Sequence, residues 1–360
     1  MEVRSREYAA RARETLERDP GVRDAVTAAA LTFDAHRRRA FAELDSEALR
    51  RWAEEVKSHA LTHLDRYLEE AEARLVERGV RVHWAETRDD VHRVLDEVVE
   101  RRGVRTAVKA KSMLGEEMAV NARLEARGVE VFETDLGEYV IQLLDEPPSH
   151  IVGPAIHRSL DDIRALFHER LGTEPDASPE TLARAARTVL RRAFLAAELG
   201  ISGCNFLVAE TGSLALIENE GNIRLSTSLP RVHVALVGIE KVLPRWSDLA
   251  AFLQLTARAA TGQPVGTFVS IIQGPGAVEG RRAGPPGGVH ATHGGTPGTG
   301  TPEAGGVGPD REIDGPEEVH VVLVDAGRSR VLADPEAWEA LRCVRCGACL
   351  NVCPVYRQTG

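Results

Sequence analysis

The sequence predicts an α/β protein that is preceded by a helical region and followed by a cysteine-rich segment. From about residue 80, short apolar runs alternate with amphipathic helical patterns, which is typical of strands and helices built around one sheet. The first 79 residues show helical spacing throughout, and four of the five cysteines fall between positions 343 and 353. These three observations define the predicted architecture.

The composition is that of an ordinary globular protein. Of the 360 residues, 43% are hydrophobic and 28% are charged, with a net charge of −10. Nucleic-acid binding needs clustered positive charge, which this chain lacks. The amino terminus has no apolar core of a signal peptide, and no run approaches the roughly 20 apolar residues of a membrane span. We therefore expect a cytoplasmic protein.

Lysine is rare, because arginine supplies almost all the positive charge. It occurs only at positions 57, 109, 111 and 241. Because the chain generally uses arginine, a position that keeps lysine is more readily explained by a specific need for a lysine side chain. Two of the four lysines lie together in the KAKS sequence at 109–112.

Residues 1–79 are predicted to be helical and to pack on another part of the molecule. Charged residues dominate, and apolar residues recur at helical spacing. These apolar positions are Leu44, Leu49, Trp52, Val56, Leu61, Leu64 and Leu68.

Residues 80–272 form the predicted α/β domain. Its apolar runs predict strands at Val104–Lys109, Val129–Glu133, His150–Val152, Asn205–Glu210, Ser213–Ile217, Asn222–Thr227, Val232–Ile239 and Thr267–Ile272. One helix is well signalled, with Ser178 as its N-cap, Pro179 as its first residue and Gly200 as its stop.

Residues 273–316 are rich in Gly and Pro and predict a flexible linker. His290 and His293 in this stretch are interpreted as solvated side chains rather than metal ligands. Residues 317–332 contain one more predicted strand, Val319–Val324, which could return to the sheet. A helix is then predicted to begin at Asp334-Pro335-Glu336 and to lead into the cysteines.

Residues 333–360, here called the cysteine segment, carry a metal-binding motif. Cys343, Cys346, Cys349 and Cys353 are spaced C-x2-C-x2-C-x3-C and followed by Pro354. This is the bacterial ferredoxin pattern for a [4Fe–4S] cluster. Zinc sites usually use two separated C-x2-C pairs, and disulfides between such near neighbours would be strained. We therefore predict these four cysteines as cluster ligands.

The fourth cysteine leaves an alternative open. In two-cluster ferredoxins the last cysteine of this run binds the other cluster, and no second motif is present here. The remaining cysteine, Cys204, is interpreted as a small buried residue. The chain could be truncated at Gly360, could build one cluster from four local cysteines, or could take a ligand from a partner; we favour truncation.

Polar residues that follow predicted strands suggest a ligand site in the α/β domain. Lys109, Lys111 and Ser112 follow a strand and open a helix, where a carboxylate or phosphate can bind. Two polar turns supply the other candidates, which are Glu210, Thr211, Ser213, Asn219 and Asn222. The same turn sequences also suit an ordinary hairpin without a ligand, so both interpretations stay open.

No catalytic residue is assigned from the sequence. His83, His150 and His157 titrate in a range that suits a base, but a histidine among apolar neighbours is usually structural. A Gly-x-Gly-x-x-Gly after a strand and a Walker A sequence are both missing. Nucleotide-dependent hydride chemistry is therefore not predicted.

Seven ordered motifs make the chain resemble the lactate utilisation protein B family, the iron–sulfur proteins of a bacterial L-lactate oxidation system. They are KAKSM at 109–113 with EE at 116–117, ETDLGEY at 133–139, EPPSH at 146–150, GISGCN at 200–205, AETGS at 209–213, NEGN at 219–222 and LRCVRCGAC at 341–349. The resemblance implies a lactate-utilisation (LUD) domain, akin to the sugar-phosphate isomerase and CoA-transferase group, and a helical ferredoxin module with two [4Fe–4S] clusters. The linker is longer than the family pattern by about thirty residues, which loop-closure entropy tolerates.

The function implied by the resemblance is that of an iron–sulfur electron-transfer subunit in a complex that oxidises L-lactate to pyruvate. Its implied partners are a second LUD-domain protein and a cysteine-rich-domain protein. Two alternatives remain open. The LUD domain could bind or convert a small carboxylate or sugar acid beside a structural or regulatory cluster, or the chain could be a non-catalytic assembly scaffold.

Overall fold

A computed structural model describes residues 7–18, 20–276 and 315–359. Most of the predicted linker, including His290 and His293, lies outside the described residues. The prediction of an α/β fold behind a helical lead-in is confirmed.

The described part of the amino-terminal region contains four helices. They are α1 (Tyr8–Arg18), α2 (Pro20–Phe41), α3 (Ser46–Thr62) and α4 (Leu64–Glu77). Asp45 caps α3 by accepting a hydrogen bond from the Ala48 N–H at 3.0 Å. Leu64, Leu68 and Leu75 of α4 are buried against the sheet that follows.

Within the described ranges the main sheet has six strands, all parallel, in the order β1-β10-β7-β4-β2-β3. The strands are β1 (Arg81–Ala85), β2 (Thr106–Lys109), β3 (Glu130–Glu133), β4 (Leu199–Ser202), β7 (Val232–Gly238) and β10 (Glu318–Val324). The strand predicted at Val319–Val324 is thus β10, and it lies between β1 and β7. Because all the strands run the same way, their carboxyl ends meet at one edge of the sheet.

Helices cover both faces of this sheet, as a parallel sheet requires. They are α5 (Arg88–Arg102), α6 (Met113–Glu117), α7 (Val120–Glu125), α8 (Leu136–Leu144), α9 (Leu160–Leu171) and α10 (Pro179–Ala196). Along β10, Val322 and Val324 pack towards α5 and α7, whereas Val321 and Leu323 pack towards α4. The alternation follows from the two-residue repeat of a strand.

A smaller four-stranded sheet has the order β8-β5-β6-β9. It consists of β5 (Phe206–Val208), β6 (Ser213–Glu218), β8 (Val242–Leu243) and β9 (Phe268–Ile272), with α11 (Asn222–Ser228) and α12 (Trp246–Ala260) between strands. β5 and β6 form an antiparallel hairpin that packs against α3 and α12 through Phe206 and Phe252.

The cysteine segment follows α13 (Arg328–Ala333) and contains a 3-10 helix at Trp338–Arg342, α14 (Ala348–Val352) and α15 (Tyr356–Thr359). It packs on α2, where Tyr356 meets Val22 and Val26. The prediction that a helix begins at Asp334 is wrong. The Asp334 side chain instead accepts a hydrogen bond from the Glu336 N–H at 2.8 Å, which closes a turn.

Two predicted strands are also wrong. His150–Val152 is irregular, and Asn222–Thr227 lies in α11. Helix α11 forms because the Glu218 carboxylate accepts hydrogen bonds from the N–H groups of Ile223 and Arg224, at 2.6 and 3.0 Å. A capped first turn outweighs the strand-like pattern of the sequence.

Gly200 does not end α10, although Ser178 is its N-cap as predicted. The helix stops at Ala196, and Gly200 lies inside β4. A Cβ atom at Gly200 would stand 1.8 Å from the Ser226 carbonyl oxygen. The glycine is needed for the close approach of α11 to the sheet.

Among the helices of the described ranges, none combines the length and the apolar character needed to cross a bilayer.

Candidate functional site

A cavity of about 270 Å3 lies between the carboxyl edge of the main sheet and the cysteine segment. Its sheet side is formed by residues that follow β2, β3, β4 and β7. Its other side includes residues of the loop at 343–347, here called the cysteine loop. Polar and sulfur-bearing lining residues are Lys111, Ser112, Met113, Asp135, Cys204, Asn205, Glu218, Asn219, Glu220, Asn222, Glu240, Lys241, Thr256, Thr261, Gln263, Arg345 and Cys346. The volume is slightly below the usual range of about 300–1,000 Å3 for small-molecule sites.

Lys111 and Ser112 line this cavity at the end of β2, as the sequence predicts, but both side chains have protein partners. The Lys111 ammonium contacts the Asp135 carboxylate at 2.6 Å and the Val152 carbonyl at 3.1 Å. The Ser112 hydroxyl accepts a hydrogen bond from the Gly115 N–H at 3.1 Å and caps the five-residue helix α6. The ion pair with Asp135 leaves Lys111 little charge to offer a ligand.

Lys109 does not line the cavity; it is fully buried behind it. Its ammonium lies 2.8 Å from Glu133, 3.1 Å from Glu116 and 3.9 Å from Glu138. Burial opposes the charge, but the three carboxylates outweigh it and raise the pKa of Lys109. The three carboxylates have a geometry that could hold a metal ion; here Lys109 supplies their positive charge.

Glu133 and Glu138 are buried carboxyl groups with oxygen atoms within 4.8 Å of each other. Burial raises the pKa of Glu138 well above its ordinary value, although Lys109 opposes the shift. Each carboxyl group has one buried oxygen, Oε2, without a hydrogen-bond partner. The negative charge of Glu133 adds to the effect of burial, so the protonated form of Glu138 is favoured.

The polar turn at 210–213 is not part of the cavity. It lies at the closed end of the β5–β6 hairpin, whereas Asn205 and Asn219, at the open end, reach the cavity. Glu210 accepts a hydrogen bond from the Trp246 N–H at 2.7 Å, and the Thr211 hydroxyl donates to Ser213 at 2.8 Å. These contacts stabilise the hairpin.

Asn219 and Asn222 both line the cavity; Asn222 is the first residue of α11 and Asn219 lies in the turn before it. The Asn219 amide donates to Gln263 at 3.0 Å, and the Asn222 amide donates to Thr134 at 3.3 Å. Of the predicted ligand residues, the structure therefore brings together Lys111, Ser112 and these two asparagines.

Lys241 and Arg345 also line the cavity and were not predicted as site residues. Lys241 follows β7, is 8% exposed, and donates to the Cys343 carbonyl at 3.4 Å. Burial lowers its pKa. The signal available in the sequence was the scarcity of lysine, since all four lysines lie at or beside the cavity or the cysteine segment.

Arg345 ties the cysteine loop to the main domain. Its guanidinium contacts the Glu117 carboxylate, which also pairs with Arg328 at 2.8 Å. Arg328 in turn pairs with Glu240 at 2.7 Å. This network holds the loop against the carboxyl edge of the sheet.

The four motif cysteines are free thiols on one short stretch of chain. Burial raises the pKa of the Cys346 thiol, and Cys343 and Cys349 lie near enough to raise it further. Cys353 packs instead with Leu350 against Val22 and Val26.

The surroundings of these cysteines fit an iron–sulfur cluster. The N–H groups of Arg345 and Tyr356 point at the sulfurs of Cys343 and Cys353, at 3.3 and 3.5 Å. Gly347 has a φ of 76°, and a Cβ atom there would meet the His150 ring at 3.3 Å. Sulfur donors, N–H groups directed at sulfur and a tightly wound loop are what such a cluster requires.

The other cysteine and the three candidate histidines have structural contacts. Cys204 donates to the Phe206 carbonyl at 3.1 Å, and burial raises its pKa to about 12. His83 pairs with His320 at 2.9 Å, and His157 pairs with Glu146 at 3.1 Å. His150 accepts from the Val152 N–H at 3.1 Å. None of the three histidines lines the described cavity, so a catalytic base stays unassigned.

Comparison with known proteins first defines the class. The model of the LUD domain matches residues 68–281, so this is a LUD-domain protein. Within that class the chain belongs to the lactate utilization protein B family. It is 40% identical to lactate utilization protein B of Shouchella clausii (strain KSM-K16) over 95% of this chain and 66% of that protein. It is 39% identical to the protein of that name from Bacillus pumilus (strain SAFR-032), over 100% of this chain and 69% of that protein.

A further relative is the uncharacterized electron transport protein YkgF of Escherichia coli (strain K12), 40% identical over 98% of this chain and 68% of that protein. The chain thus spans about two thirds of the length of these curated relatives. A DUF162 family protein from Deinococcus radiodurans matches with a TM-score of 0.35 and 12% identity, over 72% of this chain and 98% of that one. That likeness is too weak to add to what the sheet itself shows.

Proposed function

We propose that this protein is an iron–sulfur electron-transfer subunit of a complex that oxidises L-lactate to pyruvate. One observation carries the proposal. The cavity that holds Lys111, Ser112, Asn219 and Asn222 has Cys346 of the ferredoxin-type motif in its wall. A small acid bound in the cavity would therefore lie next to the predicted electron carrier.

The residues of the cavity suit a small hydroxy acid. Ammonium, guanidinium, hydroxyl and amide groups line it together with apolar side chains such as Leu216 and Ile217. The polar groups can bind a carboxylate and a hydroxyl, while the apolar groups exclude water from the bound acid.

Cys343, Cys346, Cys349 and Cys353 would hold the cluster. A bound [4Fe–4S] cluster would supply one-electron transfer at the edge of the cavity. Oxidation of L-lactate to pyruvate releases two electrons and two protons, so an acceptor outside this chain is required. The family name supports a role in lactate utilisation, and a second LUD-domain protein and a cysteine-rich-domain protein are the proposed partners.

The first test is the iron and acid-labile sulfide content of the chain purified anaerobically, with an EPR spectrum after reduction. About four irons per chain and a reduced [4Fe–4S] signal are expected. The complex reconstituted with both partners should then reduce an acceptor when L-lactate is added. Zinc or no metal in the purified chain would contradict the proposal.

The cavity itself favours a second candidate function. A volume of about 270 Å3 accommodates acids larger than lactate, so the LUD domain could bind or convert a sugar acid while the cluster is structural. Binding measured for a panel of hydroxy acids distinguishes the two. Tighter binding of a sugar acid than of L-lactate would favour the second candidate, and binding of none would favour an assembly scaffold.

A further inference from the structure

We propose that Lys241 is the anion anchor of the cavity and binds the carboxylate of the acid from the cysteine side. The inference rests on the proposed function, because it takes a small carboxylate as the ligand. It replaces the expectation that Lys111, at the start of α6, holds that group.

The argument begins with the partners of the cationic side chains. Lys111 has Asp135 at 2.6 Å, and Arg345 contacts Glu117. Lys109, behind the wall, has Glu133 at 2.8 Å. Each of these charges is already balanced by a carboxylate of the protein.

Lys241 differs from all of them. Within the described part of the chain, no carboxylate lies within ion-pair distance of its ammonium, and its one hydrogen bond is the 3.4 Å contact with the Cys343 carbonyl. The neighbouring Glu240 carboxylate is directed to Arg328 instead. The side chain is 8% exposed, and the surface that it keeps forms part of the cavity wall.

An unbalanced buried cation is costly, because the protein interior replaces little of its hydration. A carboxylate placed in the cavity would remove that cost and would gain a charge-assisted hydrogen bond. An ammonium with spare donors, directed into a small-molecule cavity, is therefore suited to bind an anion.

The position of Lys241 has a consequence for orientation. Its ammonium contacts the backbone of Cys343, one of the predicted cluster ligands. An acid held by Lys241 therefore has its carboxylate at the cysteine side of the cavity, and the rest of the molecule extends towards Ser112 and Asn222.

Lys57 provides a matched control. It is also buried, at 3% exposed, and its ammonium donates to the Glu240 carbonyl. It lines a different cavity, on the side of α3. Because Lys57 does not line the candidate cavity, its replacement by methionine removes a buried amino group without removing a side chain from the wall of that site.

The test is calorimetric titration of the full chain, purified anaerobically, with L-lactate, pyruvate, D-gluconate and the neutral analogue L-lactamide. The wild-type chain should bind L-lactate and not L-lactamide. K241M should weaken L-lactate binding by roughly tenfold or more. K241R, which keeps the charge, should retain most of the affinity, and K57M should leave it unchanged.

The outcomes separate this inference from the proposed function. If the wild-type chain binds D-gluconate but not L-lactate, and K241M loses D-gluconate binding, then Lys241 is the anion anchor but L-lactate is not the substrate. Unchanged L-lactate binding in K241M would keep the substrate and overturn the anchor. An equal loss in K57M would show a general effect of buried charge and would also overturn the anchor.

The redox potential of the cluster, measured by EPR titration, tests another role for the same charge. A shift of that potential in K241M without any change in carboxylate binding would mean that Lys241 balances the cluster, and the anchor would be wrong. If K241M does not fold, the pair K241R and K241Q provides the same comparison, and equal affinity in both would overturn the anchor.

Discussion

The main sheet and the cysteine segment differ in how much of their surface is buried. In β7 every residue is buried, and in β10 all but Glu318 are. The described part of the cysteine segment buries only Leu341, Gly347, Asn351 and Tyr356. The sheet thus has enough apolar burial to stabilise itself, whereas coordination of a metal cluster is expected to supply much of the folding free energy of the cysteine segment.

The strongest test of this difference is Cys346→Ala. We expect the variant to lose its iron and acid-labile sulfide while the thermal unfolding of the sheet, followed by far-UV circular dichroism, stays close to that of the wild type. Cys204→Ala is the control and should keep its iron, since the Cys204 thiol donates to a backbone carbonyl. Full iron content in the Cys346 variant would refute the ligand assignment.

The converse variant is Lys109→Met, which should destabilise the main sheet and leave metal binding by the cysteine segment unchanged. Its buried carboxylate partners, Glu133 and Glu138, would lose their counter-charge, and breaking a buried pair in this way costs about 3–5 kcal/mol of unfolding free energy. Denaturant titration measures the loss, and the iron content per folded chain should not change. A loss as small as that from removing Arg50, in its exposed pair with Glu47, would show that the cluster around Lys109 is not important for stability.

A smaller effect is expected for Glu138→Gln, and it depends on pH. Because the pKa of Glu138 is raised in the folded state, the folded chain holds a proton that the unfolded chain has released above pH about 4.5. The contribution of Glu138 to the unfolding free energy of the wild type is therefore complete below that pH, and it is lost as the pH rises towards the pKa of Glu138 in the folded chain. Glutamine needs no proton, so the unfolding free energy of the variant should rise relative to that of the wild type by up to about 1.4 kcal/mol per pH unit in that window.

Urea titrations of both chains at pH 5, 6, 7 and 8 measure this difference. A constant gap between the two curves would mean that the pKa of Glu138 is not raised in the folded chain.

The smallest expected effect concerns the helix cap at Ser178. Its hydroxyl accepts a hydrogen bond from the Thr181 N–H at 3.3 Å at the start of α10. Ser178→Ala should lower the unfolding free energy by about 1 kcal/mol, and Ser178→Asp should restore it. Since α10 packs on the sheet and not on the cysteine segment, the cluster should be unaffected; reduced iron content would show that the two regions are more closely coupled than the contacts indicate.

The sequence predicts the α/β class because apolar runs and helical spacing are local signals. It does not predict the sheet order, since the position of β10 between β1 and β7 depends on contacts across more than 230 residues. Nor does it predict that α11 is a helix. A single carboxylate, Glu218, decides that, and its capping role depends on where the chain turns.

The candidate site was predicted in part for similar reasons. Lys111, Ser112, Asn219 and Asn222 follow strands or adjoin a turn at the cavity, so their sequence context was informative. The turn with Glu210, Thr211 and Ser213 has the same composition but lies at the other end of a hairpin, a distinction that composition does not carry. Lys241 follows a strand without any polar motif and was signalled only by the rarity of lysine.

The place of β10 in the sheet also has a consequence for synthesis on the ribosome. Among the strands of the described ranges, β1 pairs in the main sheet only with β10, which lies more than 230 residues later in the chain. Since chains emerge from the amino terminus onwards, β1 waits without its partner until almost the whole domain has been made. The motif cysteines follow β10 closely, so the sheet that forms one wall of the cavity can close just before the predicted cluster ligands become available.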